Sequence, residues 1–261
     1  MRWLVMVKIR IAAAAPLLIA SLALPSSATA RAEPQQAPDY VRQSAPALAR
    51  YTQDTLFGDL WKRSDLSPRD RSFITVATLI ATGKDDQLGF HIGRALDNGV
   101  TPAEIGGIIT QLAFYAGWPN AMSAAKVADQ VFKERGIKTA AAQPARAAMR
   151  AAPEGDGKRS QSVREGVGTV APTLAEMTNK VLFDDLWRRT DLSPRDRSLA
   201  TITALTAGGD AAQLGFHLKT GLSNGLTRDT IGAAMAQIAF YAGWPKGYSG
   251  ATALLDLEKG R

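Results

Sequence analysis

A block of about 90 residues occurs twice in this chain, displaced by 126 positions, and that duplication limits the folds open to it. Gln87-Leu88-Gly89-Phe90-His91 returns as Gln213-Leu214-Gly215-Phe216-His217. Leu66-Ser67-Pro68-Arg69-Asp70-Arg71-Ser72 returns as Leu192-Ser193-Pro194-Arg195-Asp196-Arg197-Ser198. Phe114-Tyr115-Ala116-Gly117-Trp118-Pro119 returns letter for letter at 240–245. Two long copies indicate duplication of one domain, in contrast to a solenoid built of many short units.

Helix punctuation runs through both copies. Ser67-Pro68-Arg69-Asp70 offers an N-cap, a proline at the first helical position and an acid two residues later. Thr101-Pro102-Ala103-Glu104 has the form of a capping box, and Asn98-Gly99 and Gly117 are stop signals. Ile105, Ile108, Ile109, Leu112 and Ala113 make one apolar stripe at helical spacing, and alternating β-branched runs are missing. The spacing predicts an all-α fold with about five helices per copy, near 46–63, 68–82, 85–98, 102–116 and 119–135, repeated 126 residues on. The copies are bounded at 45–135 and 171–261. The stretch 136–170, rich in Ala, Pro, Gly and charge, reads as a flexible linker.

Residues 1–30 read as a secretory signal. Lys8 and Arg10 precede a short apolar run from Ile11 to Leu24, and small residues of A-x-A type follow at 28–32. Translation from Met1 or from Met6 satisfies the pattern equally. The run is shorter than the roughly 20 apolar residues of a membrane span, so the expectation is export to the periplasm or medium, with no membrane association after cleavage.

Charge and cysteine exclude several function classes. The formal net charge is +7, but three cations lie in the first ten residues and an excess of three lies in the linker. About +1 remains on the repeats, so no domain-wide basic surface for nucleic acid is expected. There is no cysteine, which removes disulfides, thiolate metal sites and thiol nucleophiles together. No metal site and no cofactor are expected.

His91 and His217 are the two histidines of the chain, one per copy. Each follows a glutamine, Gln87 or Gln213, by four residues, so amide and imidazole share a helix face. Imidazole titrates near neutral pH, which suits acid–base work, although a histidine on an apolar face is also a common core residue. Tyr115 with Trp118, and Tyr241 with Trp244, either wall a pocket beside the histidine helix or pack its corner. Trp61 and Trp187 are read as packing the first helix against the body. Arg69 and Arg71, with Arg195 and Arg197, are candidate carboxylate clamps, since a guanidinium grips a planar anion with two parallel bonds. For all four, capping the helix or pairing across a subunit contact is the simpler reading.

The ordered set Ser-Pro-Arg-Asp-Arg-Ser, Gln-Leu-Gly-Phe-His, Asn-Gly-(Val/Leu)-Thr and Phe-Tyr-Ala-Gly-Trp-Pro resembles the carboxymuconolactone decarboxylase-like family, within the alkylhydroperoxidase-D-like fold. The resemblance covers both repeats. It implies a helical domain that assembles into rings of six, so that three tandem chains would complete one homo-oligomer. Peroxidase members use a CxxC pair, which this chain lacks. Decarboxylase members lose CO2 from a carboxylated lactone without a cofactor. By resemblance, His91 and His217 would be the acid–base groups, with Arg71 or Arg197 holding the substrate carboxylate. Decarboxylases commonly carry a Glu where this chain has Gln87 and Gln213, so proton transfer here would fall to the histidine alone. The expected function is a cofactor-independent lyase acting on a small carboxylated lactone or keto acid. A non-catalytic binding or assembly module of the same fold is the second reading.

Overall fold

Each repeat contains one helix that is surrounded on every side. In the computed structural model, which describes residues 37–138 and 148–260, these are α3 (Pro68–Ala81) and α9 (Pro194–Gly208). Every residue of α3 from Asp70 to Ile80 is buried, as is every residue of α9 from Asp196 to Ala207. Thr75 and Thr78 of α3 and Thr201 of α9 donate to the carbonyls four residues back, those of Arg71, Ile74 and Arg197 (2.9, 2.8 and 2.9 Å).

The other helices wrap these two. After α1 (Asp39–Ser44), the first repeat supplies α2 (Pro46–Tyr51), α4 (Asp85–Asp97), α5 (Pro102–Tyr115) and α6 (Trp118–Glu134). After α7 (Asp156–Glu165), the second repeat supplies α8 (Pro172–Met177), α10 (Ala211–Ser223), α11 (Arg228–Ala242) and α12 (Trp244–Glu258). No strand occurs among the described residues, in agreement with the all-α expectation. The caps are those the sequence offers: Ser67 Oγ accepts from Asp70 N (3.0 Å), and Thr101 and Glu104 close a capping box.

The helix expected over 46–63 is broken. It runs as α2, continues as a π-helical turn over Thr52–Phe57, and ends in a 3-10 turn over Leu60–Lys62. The second repeat does the same over Thr178–Phe183 and Leu186–Arg188. Each widened turn shifts the register of the chain just before a tryptophan, Trp61 or Trp187. π-Turns of this kind are frequent beside functional sites.

The two repeats share one core. α3 packs on α9 and α11, and α5 packs on α9, so apolar side chains of both copies form one continuous cluster. Across the contact Arg69 Nη2 pairs with Asp196 (2.8 Å) and Arg195 Nη2 with Asp70 (2.6 Å). The sequence reading allowed these arginines to cap their helices or to pair across a subunit contact; the contact they span here joins two repeats of one chain.

Part of the segment read as a flexible linker is ordered. It contains α7 and pairs with the second repeat, Arg150 N donating to Arg188 O (2.7 Å) and Thr190 N to Ala148 O (3.1 Å). The signal expected over 1–30 lies outside the described residues.

Candidate active sites shared between repeats

α4 and α10 turn their histidines inward. His91 is 5% exposed and His217 6%. The ring of His91 stacks on Trp61 (centroids 5.8 Å apart, 20° between planes) and meets Phe90 edge-on at 5.0 Å. Its third aromatic neighbour comes from the other repeat: Tyr241, at 5.1 Å and 87°. His217 repeats the arrangement with Trp187 (5.6 Å), Phe216 (5.1 Å) and Tyr115 (5.2 Å, 88°). In each site the indole donates to the phenol of the opposite repeat, Trp61 Nε1 to Tyr241 Oη (2.9 Å) and Trp187 Nε1 to Tyr115 Oη (2.8 Å).

The expected residues therefore divide. Tyr115 and Tyr241 do flank histidines, but each serves the other repeat's imidazole, because α5 and α11 cross to the partner copy. Trp118 and Trp244 do not join the site. They open α6 and α12, are 58% and 63% exposed, and pack edge-on to Phe114 and Phe240. Trp61 and Trp187, read from sequence as packing residues, are the ones stacked on the imidazoles. Gln87 and Gln213 are exposed, and neither hydrogen bonds to its histidine among the described residues.

Arg71 and Arg197 are not open clamps. Both are 1% exposed. Arg71 donates to Gln237 Oε1 (3.1 Å), to the carbonyl of Arg63 (2.9 Å) and to Asp65 (2.7 Å). Arg197 donates likewise to Gln111 (2.7 Å), Arg189 O (3.0 Å) and Asp191 (2.5 Å). Gln237 and Gln111 pass the connection on to Thr75 and Thr201 (2.9 Å each). These buried arginines tie each repeat to the other, and their bonded Nη donors are committed to protein acceptors.

Sequence reasoning missed Arg94. It lies one turn beyond His91 on α4, with its guanidinium 4.0 Å over the Trp61 ring and 5.4 Å over Phe57. It is half-buried, and no carboxylate pairs with it among the described residues. Burial lowers its pKa below the ordinary arginine value. The signal was present as a difference between copies, since position 220, its counterpart, is Thr.

Electrostatics assign the protons. Burial pushes His91 down to about 4, the charge of Arg94 adding to the effect, and burial pushes His217 to about 4 as well. Both imidazoles are neutral at pH 7. Burial raises Tyr115 and Tyr241 above the ordinary phenol value, outweighing the hydrogen bonds from the indoles. The phenols are thus donors, and with the indole N–H spent on the phenol oxygen, each O–H proton is directed elsewhere. His91 Nδ1 and His217 Nδ1 are buried without a hydrogen-bond partner. Such an atom costs about 1–3 kcal/mol unless something pairs with it. Among the described residues no group of three or more His, Cys, Asp or Glu side chains is placed to hold a metal ion.

Parts of this chain are similar to known proteins. The 4-carboxymuconolactone decarboxylase of Acinetobacter baylyi is 38% identical over 81 residues, which are 31% of this chain and 60% of that protein. A nitrosuccinic acid decarboxylase of Metarhizium robertsii is 31% identical over 78 residues, 30% of this chain and 54% of the relative. The matched stretch is thus less than two thirds of either relative's own length. The model of the carboxymuconolactone decarboxylase family matches twice, over residues 46–130 and 172–256. With both repeats matched and more than half of its residues covered, the chain belongs to the carboxymuconolactone decarboxylase family.

Proposed function

We propose that this chain is a cofactor-independent carboxy-lyase acting on a small carboxylated lactone or keto acid at two composite sites. The observation that carries this reading is a buried imidazole with an unpaired Nδ1, facing a protonated phenol from the other repeat. The names of the two relatives, both decarboxylases, point the same way.

The chemistry follows from the charges. An anionic substrate entering beside a neutral imidazole raises the pKa of that imidazole, since an opposite charge favours the protonated form. Binding therefore draws one proton onto His91 or His217. The C–C bond to the carboxylate then breaks, CO2 departs, and the electron pair enters the adjacent conjugated carbonyl as an enolate. The phenol O–H of Tyr241 or Tyr115 is suited to hydrogen bond to that developing oxyanion. The imidazolium returns its proton to carbon, and the histidine is neutral again. One solvent proton is consumed for each carboxylate lost. In the first site the Arg94 guanidinium is free to hold the substrate anion.

We read the signal-like residues 1–30 as support for export, so that the reaction takes place outside the cytoplasm. Exposed Phe114, Trp118, Met122, Trp244 and Tyr248 support self-association, three chains closing a ring of six repeats. Light scattering would return the mass of three chains.

The test is CO2 release by the purified protein from a panel of lactone acids and β-keto acids. At least one is turned over by the wild type, and not by H91A/H217A with unchanged circular dichroism. A substrate processed equally by that double variant would overturn the assignment.

A further inference from the structure

The segment between the repeats does more than connect them. Arg150 N and Arg188 O are bonded, and Arg188 Nε donates in turn to Arg150 O (2.8 Å). α7 is anchored through Arg159, which pairs with Asp156 (2.7 Å), donates to Asn179 (2.8 Å) and lies 3.9 Å over the Phe183 ring. Between this segment and the second repeat a cavity of about 480 Å3 opens. That volume falls in the range of small-molecule sites.

The lining has two chemistries. Phe183, Trp187 and Phe216 form an aromatic floor. Trp187 and Phe216 are the rings packed on His217, so the cavity adjoins that site. Arg150, Arg188 and Lys219 form a cationic rim. The acids present are Glu154 and Asp156, and Asp156 is already paired with Arg159. The balance is positive.

The first repeat carries a different side chain at the corresponding place. Thr220, which lines the cavity, is matched by Arg94, whose guanidinium lies over the rings of Trp61 and Phe57. Lys219 is matched by Gly93. In the first site Arg94 covers both rings of the pair; in the second Thr220 is short, Arg159 lies over Phe183, and no guanidinium lies over Trp187 among the described residues.

We propose that the two sites differ in what they accept: the His217 site takes a planar, conjugated or aromatic carboxylate, its body on Phe183, Trp187 and Phe216 and its anion on Arg150, Arg188 and Lys219, whereas Arg94 restricts the His91 site to a smaller acid. This rests on the reading of both histidine sites as sites for acids. The ring offers flat apolar area to three aromatic faces, and the carboxylate meets guanidinium and ammonium donors at the rim.

The probe is 2-naphthoate, titrated calorimetrically into the full chain, with acetate and the uncharged 2-naphthamide as controls. One naphthoate binds per chain, acetate does not displace it at equal concentration, and the amide binds about tenfold or more weakly. T220R, which installs the side chain of the first repeat, weakens naphthoate by about tenfold or more. G93K/R94T, which uncovers the first site and gives it the ammonium of the second, adds a second naphthoate per chain. The idea fails if the wild type binds two or none, if the amide binds as well as the acid, or if T220R leaves the affinity unchanged. A misfolded T220R still leaves the stoichiometry and G93K/R94T to decide. Binding is read without turnover, so absent CO2 release with intact one-to-one binding refutes the lyase reading alone. CO2 release with no naphthoate bound refutes this one.

Discussion

His91 meets Tyr241, the tyrosine of the opposite repeat, edge-on at 5.1 Å, and Trp61 from its own repeat donates a hydrogen bond to that same phenol. Neither copy assembles this constellation from its own residues. The reciprocal set, His217 with Tyr115 and Trp187, makes the two sites conditional on one interface.

The pairing can be read from double variants. H91A and Y241F act on one site, so H91A/Y241F should retain whatever CO2 release H91A retains. H91A/Y115F strikes both sites and should lose about a further 100-fold of the remainder, the scale of one lost oxyanion donor. Turnover that instead fell with H91A/Y241F and survived in H91A/Y115F would reassign each tyrosine to its own repeat.

Arg94 has a signature of its own. R94Q removes the unpaired guanidinium, so kcat/KM at the first site should fall by about 10–100-fold, mostly through KM, as for a lost charged hydrogen bond. It also removes a like charge from beside His91, so the pKa of His91 should rise from about 4 while that of His217 stays in place. Imidazole resonances followed by NMR against pH resolve the two histidines. A His91 titration that does not move would mean that Arg94 does not act on it.

Much of this fold was legible before any coordinates. Ser67, Thr101 and Glu104 announce helix starts through local hydrogen bonds, and local bonds leave local sequence signals. The inward histidines were legible too, since Leu88 and Ile92 beside His91 mark a buried face. What a translation of 126 residues cannot encode is whether Tyr115 returns to its own histidine or crosses over. Both readings give the same sequence, and the crossing is decided by how α3 and α9 pack. An unbroken helix over 46–63 would make Trp61 a packing residue, but the π-turn at Thr52–Phe57 changes its register. Arg94 carries no repeat signal, because its counterpart is Thr220.

Acid should destabilise the protein in two separate windows. The histidines have native pKa values near 4, below the roughly 6.5 of an unfolded imidazole. Between those values the unfolded chain binds protons that the native chain refuses, so stability falls as pH drops from 6.5 towards 4, by about 3 kcal/mol per histidine at most. Asp191 acts lower. Burial raises its pKa, but hydrogen bonds from Arg189 and Arg197 and their charges lower it further, leaving it below the ordinary carboxylate value. Its contribution is present above 3.8 and is lost as pH falls through the depressed native value. Urea titrations across pH should show the first slope flattened in H91Q/H217Q and the second retained. An unchanged slope between pH 4 and 6.5 would contradict the burial assigned to the imidazoles.

The two interface arginines should not be equally costly to strip of their carboxylates. The Asp191 side chain is 2% exposed against Arg197, whereas Asp65, the partner of Arg71, is 36% exposed. D191N leaves a buried guanidinium without its counter-charge, a loss of about 3–5 kcal/mol, while water can compensate much of D65N. Midpoints of chemical unfolding, compared at constant slope, distinguish the variants. Equal losses would place Asp65 as deep as Asp191.

A single repeat should recover the interface by pairing with itself. Residues 37–138 hold both halves of each cross-repeat contact: Arg69 with Asp70, Arg71 with Gln111, and His91 and Trp61 with Tyr115. In the intact chain each of these groups meets its counterpart's partner, Arg69 on Asp196, Arg71 on Gln237, and His91 on Tyr241. A two-fold pairing of identical copies reproduces every one of them. Alone, α3 would expose the face it buries against α9 and α11, and an exposed apolar face of that kind is unstable in water. The isolated repeat should therefore sediment as a dimer whose unfolding midpoint rises with protein concentration. D70N, which removes the carboxylate that Arg69 would meet across the dyad and leaves it Glu104 of its own copy, should shift it towards unfolded monomer. A folded monomer at low concentration would show that the shared core is dispensable, and that each repeat is stable without the partner that completes its site.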